Sequence, residues 1–79
     1  MEKLERLINY IVNELIDDKS GTEIVYEIVN DTVIFKVSVA KGEMGKIIGK
    51  NGLTANAIRG VMQAAGVKDK LNVNVEFVD

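Results

Sequence analysis

The chain has 79 residues, of which 47% are apolar and 28% are charged, a composition typical of one soluble globular domain. Cysteine and histidine are both absent, which excludes disulfide bonds, a thiolate nucleophile and the commonest general base. We therefore expect no cofactor and no metal site. No apolar stretch approaches the length of a membrane span, and Glu2 and Glu5 argue against a signal peptide, so the expected location is the cytoplasm.

The net charge of −2 hides an uneven distribution along the sequence. Residues 41–70 carry six basic and two acidic side chains, a balance of +4, which leaves −6 for the rest of the chain. The basic residues of this segment are Lys41, Lys46, Lys50, Arg59, Lys68 and Lys70. Such separation predicts one positive and one negative face and favours a nucleic-acid partner, although chance segregation in a short chain gives the same count.

Residues 2–16 place leucine, isoleucine and valine at i, i+3 and i+4 spacing, with polar side chains such as Arg6 and Asn9 opposite them. This period predicts an amphipathic helix with one buried face. A polar stretch follows, in which we expect Gly21 to be a left-handed stop or a loop residue. Lysine and arginine are sparse on the polar face, which favours a structural role over binding to a membrane surface.

Two alternating, β-branched runs follow the helix, residues 22–29 and residues 32–40. Asn30 and Asp31 separate them, and both residue types tolerate the left-handed backbone of a tight turn, so the runs predict an antiparallel hairpin. In the first strand Ile24, Tyr26 and Ile28 share one face. In the second strand the residues expected to point inward are Val33, Phe35, Val37 and Val39.

The hydrophobic period then changes to that of helices. Residues 42–48 fit a short helix, and residues 53–65 fit a longer one. The predicted apolar face of the longer helix consists of Ala57, Ile58, Val61, Met62 and Ala65. Gly60 lies inside it at a cost of about 1 kcal/mol relative to alanine, which indicates either a close neighbour or a neutral glycine on an exposed face.

Gly66 is expected to end the longer helix, with residues 67–70 as a charged loop and residues 71–77 as a last strand with one buried face. The order is therefore helix, strand, strand, short helix, turn, helix, strand. It predicts an α+β fold of two layers, with three helices packed on one face of a mixed three-stranded sheet. The last strand follows a two-helix crossover and should run parallel to the second strand.

Between the two predicted helices lies the segment Gly-Lys-Ile-Ile-Gly-Lys-Asn-Gly, residues 45–52. Gly49 and Gly52 bracket Lys50 and Asn51, and glycine permits both positive φ and close backbone approach. Exposed N–H groups and the start of the next helix would then face the same way, which suits a phosphate. A Gly-rich turn without a ligand is the alternative.

A nucleotide-hydrolase loop does not fit this segment. Gly45 and Gly49 enclose three residues rather than four, and Lys50 is followed by Asn51 rather than by a hydroxyl residue that could hold magnesium. The carboxylates lie on presumed solvent faces and form no recognisable acid–base pair. We therefore expect that the chain is not an enzyme.

With Ile47 and Ile48 before the loop and Ile58 six positions after Gly52, the sequence resembles a KH domain. The extra helix and strand before the core resemble the type II version. The resemblance covers nearly the whole chain, so a single KH domain is expected over residues 1–79. It is similar to the small bacterial single-KH RNA-binding proteins of the KhpA family.

The resemblance implies that the loop clamps the backbone of about four single-stranded nucleotides while their bases lie in an adjacent apolar groove. Carried over by position, the RNA-binding residues would be Lys46, Ile47, Ile48, Gly49, Lys50, Asn51, Gly52, Leu53, Asn56 and Arg59. One of the two isoleucines is expected to belong to the core. The last strand and residues 67–70 would border the other side of the groove.

The sequence departs from the family pattern in ways that predict weak binding of low specificity. Asn51 leaves one cation in the loop, and Leu53 stands where relatives often carry a basic residue. All four aromatic residues lie outside the segment with the loop and its two helices, so base stacking on rings is expected to be small.

The resemblance also implies partners and a cellular role. It implies single-stranded RNA as the ligand, a homodimer or a heterodimer with a KhpB-like KH protein, no membrane, and action as an RNA chaperone or post-transcriptional regulator in cell elongation and envelope homeostasis. Dimerisation would raise affinity through avidity. The alternative is a protein-interaction module with a KH fold and little RNA binding, using Val61 and Met62 or an exposed sheet edge.

Overall fold

The computed structural model describes residues 1–78, in which three helices cover one face of a three-stranded sheet. The elements are α1 (Glu2–Leu15), β1 (Glu23–Val29), β2 (Thr32–Ser38), α2 (Met44–Ile48), a 3-10 turn (Lys50–Gly52), α3 (Leu53–Lys68) and β3 (Asn72–Phe77). The predicted order and the two-layer α+β architecture are confirmed. Helix α2 begins two residues later than predicted because Gly42, with φ of 91°, lies outside the helical region.

The sheet has the order β1-β2-β3, with β1 antiparallel and β3 parallel to β2. The hairpin turn has φ of 48° at Asn30 and 65° at Asp31, and it pairs Val29 with Thr32. Two central residues with positive φ define a type I′ turn, whose twist matches that of the flanking strands. The predicted hairpin and the parallel crossover are both confirmed.

The core lies between α1, α3 and the helix-facing side of β2 and β3. Phe35 is its largest fully buried side chain, at the centre of the middle strand. The remaining large core residues are Leu4, Ile8, Val12, Ile16, Val33, Val37, Ile47, Ile58, Met62, Val73 and Val75. The predicted alternation of β2 and β3 is thus confirmed in the parts of these strands that the helices cover.

Strand β1 is less covered than its sequence pattern suggests. Ile24, Tyr26 and Ile28 do share the helix-facing side, opposite the buried residues of β2. However, the exposed fraction is 40% for Tyr26 and 59% for Ile28, whereas Ile24 is half-buried against the core. β1 is an edge strand of the sheet. Because the helical layer does not extend over it, its apolar side chains are exposed to solvent.

Helix α3 ends later than predicted, at Lys68 rather than before Gly66. Gly66 is buried, and a Cβ atom there would lie 2.8 Å from the carbonyl oxygen of Leu71, so this glycine permits close packing and does not stop the helix. The stop comes at Lys70, with φ of 59°. The N–H of Lys70 donates to the carbonyl of Val67 at 2.9 Å, and that of Leu71 to Gly66 at 2.7 Å, which is a Schellman motif.

The buried face of α3 also differs from the prediction. Ile58 and Met62 are buried as expected, but Ala57 and Val61 are exposed. The helix is rotated so that Ala55 and Gly66 complete the buried row. The reason is that α3 packs closely on β3 through the glycine, which turns Val61 towards solvent.

Two further glycines resolve questions that the sequence left open. Gly21 is a loop residue without positive φ, so the left-handed stop is wrong; a Cβ atom there would lie 2.8 Å from the Cα atom of Ala40. Gly21 is required for this close approach. At Gly60 a Cβ atom would have no neighbour within 4 Å, which confirms a neutral glycine on an exposed helix face.

Candidate nucleic-acid interface

The Gly-x-x-Gly loop is a sharp turn between α2 and α3. Gly49 has φ of 73° and ψ of 177°, a region that glycine alone occupies readily. A Cβ atom there would lie 2.8 Å from the Cβ atom of Thr54, so the first turn of α3 also excludes a side chain. Gly52 has φ of 74°, and its N–H donates to the carbonyl of Gly49 at 3.2 Å. Sterics and backbone conformation therefore both select glycine at the first of the two positions.

The residues between the glycines face solvent. Lys50 and Asn51 are exposed, and Asn51 adopts a left-handed backbone with φ of 56°. Leu53, the first residue of α3, is 67% exposed. Within residues 1–78, no carboxylate forms an ion pair with Lys50. The loop thus presents one ammonium group, one amide and one apolar side chain beside a helix start.

The two isoleucines before the loop have different environments. Ile47 is fully buried in the core, whereas Ile48 is half-buried. The expectation that one of them belongs to the core is confirmed, and Ile47 is therefore corrected from a contact residue to a supporting one. Because α2 places successive side chains about 100° apart, Ile48 lies to the side of the direction in which Ile47 enters the core.

Lys46 is the middle residue of α2, and it lies in a cluster of charges that the sequence did not reveal. Its Nζ atom is 2.7 Å from a carboxylate oxygen of Asp17 and 3.1 Å from one of Glu43. These partners, Asp17 first, raise the pKa of the Lys46 ammonium above its ordinary value. Two anions therefore compensate its charge, and its role in RNA binding, predicted from the resemblance, has less support than that of Lys50.

Glu43 is a buried carboxylate that fastens the loop after α1 to the start of α2. It accepts hydrogen bonds from the backbone N–H groups of Asp18 at 2.9 Å and Asp17 at 3.4 Å. The bond from Asp18, followed by the one from Lys46, lowers the pKa of Glu43. These contacts thus hold the start of α2 against the segment that follows α1, and so they position the helix that precedes the Gly-x-x-Gly loop.

Arg59 and Asn56 lie together on α3, facing β3. The Nη1 group of Arg59 donates to Asn56 Oδ1 at 3.1 Å, and its Nε–H donates to the carbonyl of Val75 at 3.3 Å. The guanidinium also lies over the ring of Phe77, 5.2 Å from the centroid. Arg59 is therefore held on the β3 side of α3 by neutral partners, and no carboxylate of residues 1–78 forms an ion pair with it.

Phe77 is a residue that sequence reasoning missed at this site. All four aromatic residues lie outside the loop segment in sequence, but the parallel register that pairs Phe77 with Val37 brings its ring beneath Arg59. No local signal in the sequence marks this contact, because it depends on the alignment of β3 with β2. One aromatic ring is thus present on the β3 side.

A second surface feature lies on the opposite flank of α3. A shallow apolar cleft of about 490 Å³ separates α1 from α3. Tyr10, Thr54 and Val61 are among its lining residues, and Thr54 also contacts the loop. The exposed Val61 belongs to this cleft, whereas Met62 is buried and is not available to a partner.

Residues 1–78 offer neither a metal site nor a membrane-spanning helix. No cluster of acidic side chains there could hold a metal ion. No helix there combines the length and apolarity needed to cross a membrane.

The fold and the loop together define a KH domain of type II: a helix and a strand precede a strand–helix–turn–helix–strand core, and the turn is the Gly49–Gly52 corner. The family model described as "KhpA/KhpB, KH domain" matches residues 5–77. The chain belongs to this family.

Relatives over almost the whole chain agree with this assignment. RNA-binding protein KhpA of Bacillus subtilis (strain 168) is 38% identical over 78 residues, which are 99% of this chain and 96% of that protein. RNA-binding protein KhpA of Listeria monocytogenes serovar 1/2a is 36% identical, over 96% of this chain and 100% of that protein. The protein of the same name from Chlamydia trachomatis serovar D is 33% identical, over 96% and 97%. No solved structure matches the chain.

Proposed function

We propose that this chain binds single-stranded RNA, with the Gly49–Gly52 loop holding the sugar-phosphate backbone. The relatives carry the name RNA-binding protein KhpA. The observation that carries the proposal is the loop itself, where Gly49, Asn51 and Gly52 have positive φ and Lys50 is exposed. A phosphate beside this corner would meet an ammonium group and the start of α3.

The residues have different parts in the proposed contact. Lys50 supplies the main phosphate charge, and the amide of Asn51 adds hydrogen bonds. Ile48 and Leu53, both accessible, offer apolar surface to the bases. Asn56 and Arg59 lie further along α3, where Arg59 would meet RNA only by exchanging its contacts with β3.

Two of the site residues are indirect contributors in this proposal. Ile47 supports α2 from within the core. Lys46 is held between two carboxylates, so its net contribution to phosphate binding is smaller than that of Lys50. With one strong cation, the domain binds weakly and with little preference among sequences.

We extend the proposal to the cellular setting that the family resemblance implies. The chain acts by binding and not by catalysis, in the cytoplasm, as an RNA chaperone or post-transcriptional regulator in cell elongation and envelope homeostasis. It acts with a second KH chain, either a copy of itself or a KhpB-like protein. Sequencing of RNA crosslinked to the chain in cells, with cell length measured after its deletion, tests this level of the proposal.

The loop proposal is tested by Lys50→Asp combined with Asn51→Asp. Both positions are exposed, so the fold should persist, while the loop would repel phosphate. Retention of a labelled random-sequence single-stranded RNA should fall by about tenfold or more, and wild-type binding should weaken steeply with added salt.

The matched control is Lys3→Asp combined with Asn9→Asp, which makes the same charge change at exposed positions on α1. It should lower RNA retention far less than the loop pair. Unchanged binding by the loop variant, or equal losses in both variants, would contradict the loop assignment. Unmeasurable RNA binding by a folded wild-type chain would favour the protein-interaction module instead.

A further inference from the structure

Phe77 lies at the end of β3 that is nearer to the Gly-x-x-Gly loop. Near its own end, α3 packs on Val73 through Gly66. Nearer its start, α3 lies over Phe77 through Arg59. Helix and strand therefore run in opposite directions, and the loop that precedes α3 lies beyond the Phe77 end of β3. Arg59 follows Gly52 by about 10 Å of helix, at about 1.5 Å per residue, a distance that a strand of about four nucleotides spans.

The ring of Phe77 is half-buried: it packs against the core, and the guanidinium of Arg59 lies over it. The contacts that keep Arg59 there are weak. Its Nε–H donates to the carbonyl of Val75 at 3.3 Å, longer than most N–H···O bonds, and its Nη1 group donates to Asn56, which is exposed. A guanidinium over a ring at an accessible site is also held less strongly than a stacked nucleobase. A base can therefore replace Arg59 over Phe77.

We propose that the ring of Phe77 stacks on one unpaired base of the RNA strand whose backbone the loop holds. The base takes the place of the Arg59 guanidinium over the ring, and the released guanidinium turns outward to a phosphate of the same strand. This inference rests on the RNA binding proposed above and adds a base contact to it. Because every base has an aromatic face, the contact strengthens binding without selecting a sequence.

The exchange keeps the ring covered in both states. In the free chain the guanidinium lies over Phe77, and in the complex the base does. Within residues 1–78 no carboxylate forms an ion pair with Arg59, so its charge is available to a phosphate. Hydrogen bonds from a guanidinium to a phosphate are stronger than those to neutral acceptors such as Val75 and Asn56. A bound phosphate therefore draws Arg59 away from the ring.

The other three aromatic residues of the chain are not placed for this contact. Phe35 is fully buried, and Tyr26 lies on β1, at the other edge of the sheet. Tyr10 lines the cleft on the opposite flank of α3. Phe77 is the aromatic residue that shares the β3 side of α3 with Arg59. Stacking on a ring is therefore expected at one base and not along the whole strand.

Phe77→Trp tests the contact directly, because the natural chain contains no tryptophan. Titration with single-stranded oligoadenylate should quench the indole emission as a base stacks on it. Anisotropy of the same RNA carrying a dye gives the degree of saturation. The matched control is Tyr10→Trp, at the exposed tyrosine of the α1–α3 cleft, whose emission should change little at the same saturation.

Two further variants separate the ring from the charge. Phe77→Leu retains an apolar side chain but removes the ring, so it should weaken oligoadenylate binding by about tenfold and leave the salt dependence unchanged. Arg59→Gln should lower the slope of log affinity against log salt by about one, since a phosphate contact is lost. Arg6→Gln, the same substitution at an exposed position of α1, should leave that slope unchanged. Circular dichroism verifies folding, and the tryptophan variant decides if Phe77→Leu does not fold.

Unchanged emission of Phe77→Trp while the RNA saturates overturns the proposal, and so does equal quenching in Tyr10→Trp. Wild-type affinity in folded Phe77→Leu, or a wild-type salt slope in Arg59→Gln, overturns it as well. These outcomes leave the loop proposal standing as long as the loop variant loses RNA retention. Unmeasurable RNA binding by the folded wild-type chain overturns both proposals together.

Discussion

The two edge strands of the sheet, β1 and β3, differ in whether side chains satisfy the backbone N–H and C=O groups that point outward. At β3, the N–H of Val75 donates to the side chain of Asn74 at 2.9 Å, and its carbonyl accepts from Arg59 at 3.3 Å. We call this the closed edge. At β1, the helical layer leaves Tyr26 and Ile28 exposed.

The comparison teaches that strand composition alone does not decide which edge is protected. Both edge strands carry a row of apolar side chains on the helix-facing side, but the closed edge lies beneath α3, which supplies a donor from Arg59. Native sheets commonly protect edges with such side-chain or helical covers. Protection therefore follows from the position of α3, and the side that α3 does not reach stays open.

The largest expected effect is on the stability of the fold, at Gly66, where α3 packs directly against β3. Gly66→Ala would place a methyl group 2.8 Å from the carbonyl oxygen of Leu71 and against the side chain of Val73. Overpacking of this kind costs about 1–3 kcal/mol of unfolding free energy. Urea unfolding measures it, and hydrogen exchange should show the closed edge loosening more than β1.

Gly60→Ala on the same helix is the control, because a methyl group there has no neighbour within 4 Å. It should stabilise the chain by about 1 kcal/mol through helix propensity. The two substitutions are chemically identical, so opposite signs isolate the packing at β3. If both variants were more stable than wild type, the close packing of α3 on β3 at Gly66 would be contradicted.

A smaller effect is expected from Arg59→Met, which removes the donor to Val75 and the guanidinium over Phe77. The methionine retains much of the apolar stem, so the loss of unfolding free energy should be about 1 kcal/mol. Gln63→Met, at an exposed position of the same helix, should change it by less than about 0.5 kcal/mol. Equal effects would mean that Arg59 does not close the edge.

The smallest effect concerns the ion pair that ties β1 to β2. Lys36 Nζ lies 3.1 Å from a carboxylate oxygen of Glu27, and this partner raises the pKa of Lys36 above 10.5. When folding raises the pKa of a lysine, the interaction adds stability at pH values below the pKa of that lysine in the unfolded chain. This contribution disappears as the pH rises through the higher pKa of the folded state. Wild type should therefore lose more stability than Glu27→Gln between about pH 8 and pH 12.

Urea midpoints at the two pH values measure this difference, and each protein serves as its own reference at the lower pH. Screening by salt should shrink the difference, since the pair is accessible to solvent. An equal loss of unfolding free energy in both proteins would show that the ion pair does not stabilise the packing of β1 on β2.

The elements and their order could be predicted because local period and turn chemistry determine them. Leucine and isoleucine at helical spacing marked α1, and the Asn30–Asp31 pair marked the hairpin. The end of α3 was missed because a glycine near a helix end is also compatible with close packing. Lys70 takes the left-handed position instead, a choice that depends on the seating of β3.

For the candidate site, the sequence located the loop but not its surroundings. The Gly49 corner follows from residue type, since few other residues adopt its backbone. The ion pair of Lys46 with Asp17 joins residues 29 positions apart, and the contact of Arg59 with Phe77 joins different layers. Such contacts depend on how elements are placed in space, which no local pattern records. The exposure of β1 was missed for the same reason.

Helix α3 carries three separate tasks along its 16 residues. Its first turn shapes the Gly49 corner through Thr54, its middle covers the closed edge through Arg59, and its last turn seats β3 through Gly66. A shift of α3 along its axis would therefore disturb all three contacts at once. Lys50 and Asn51 are exposed and make none of these three contacts, so substitutions that test the proposed RNA contact can be made there without moving α3.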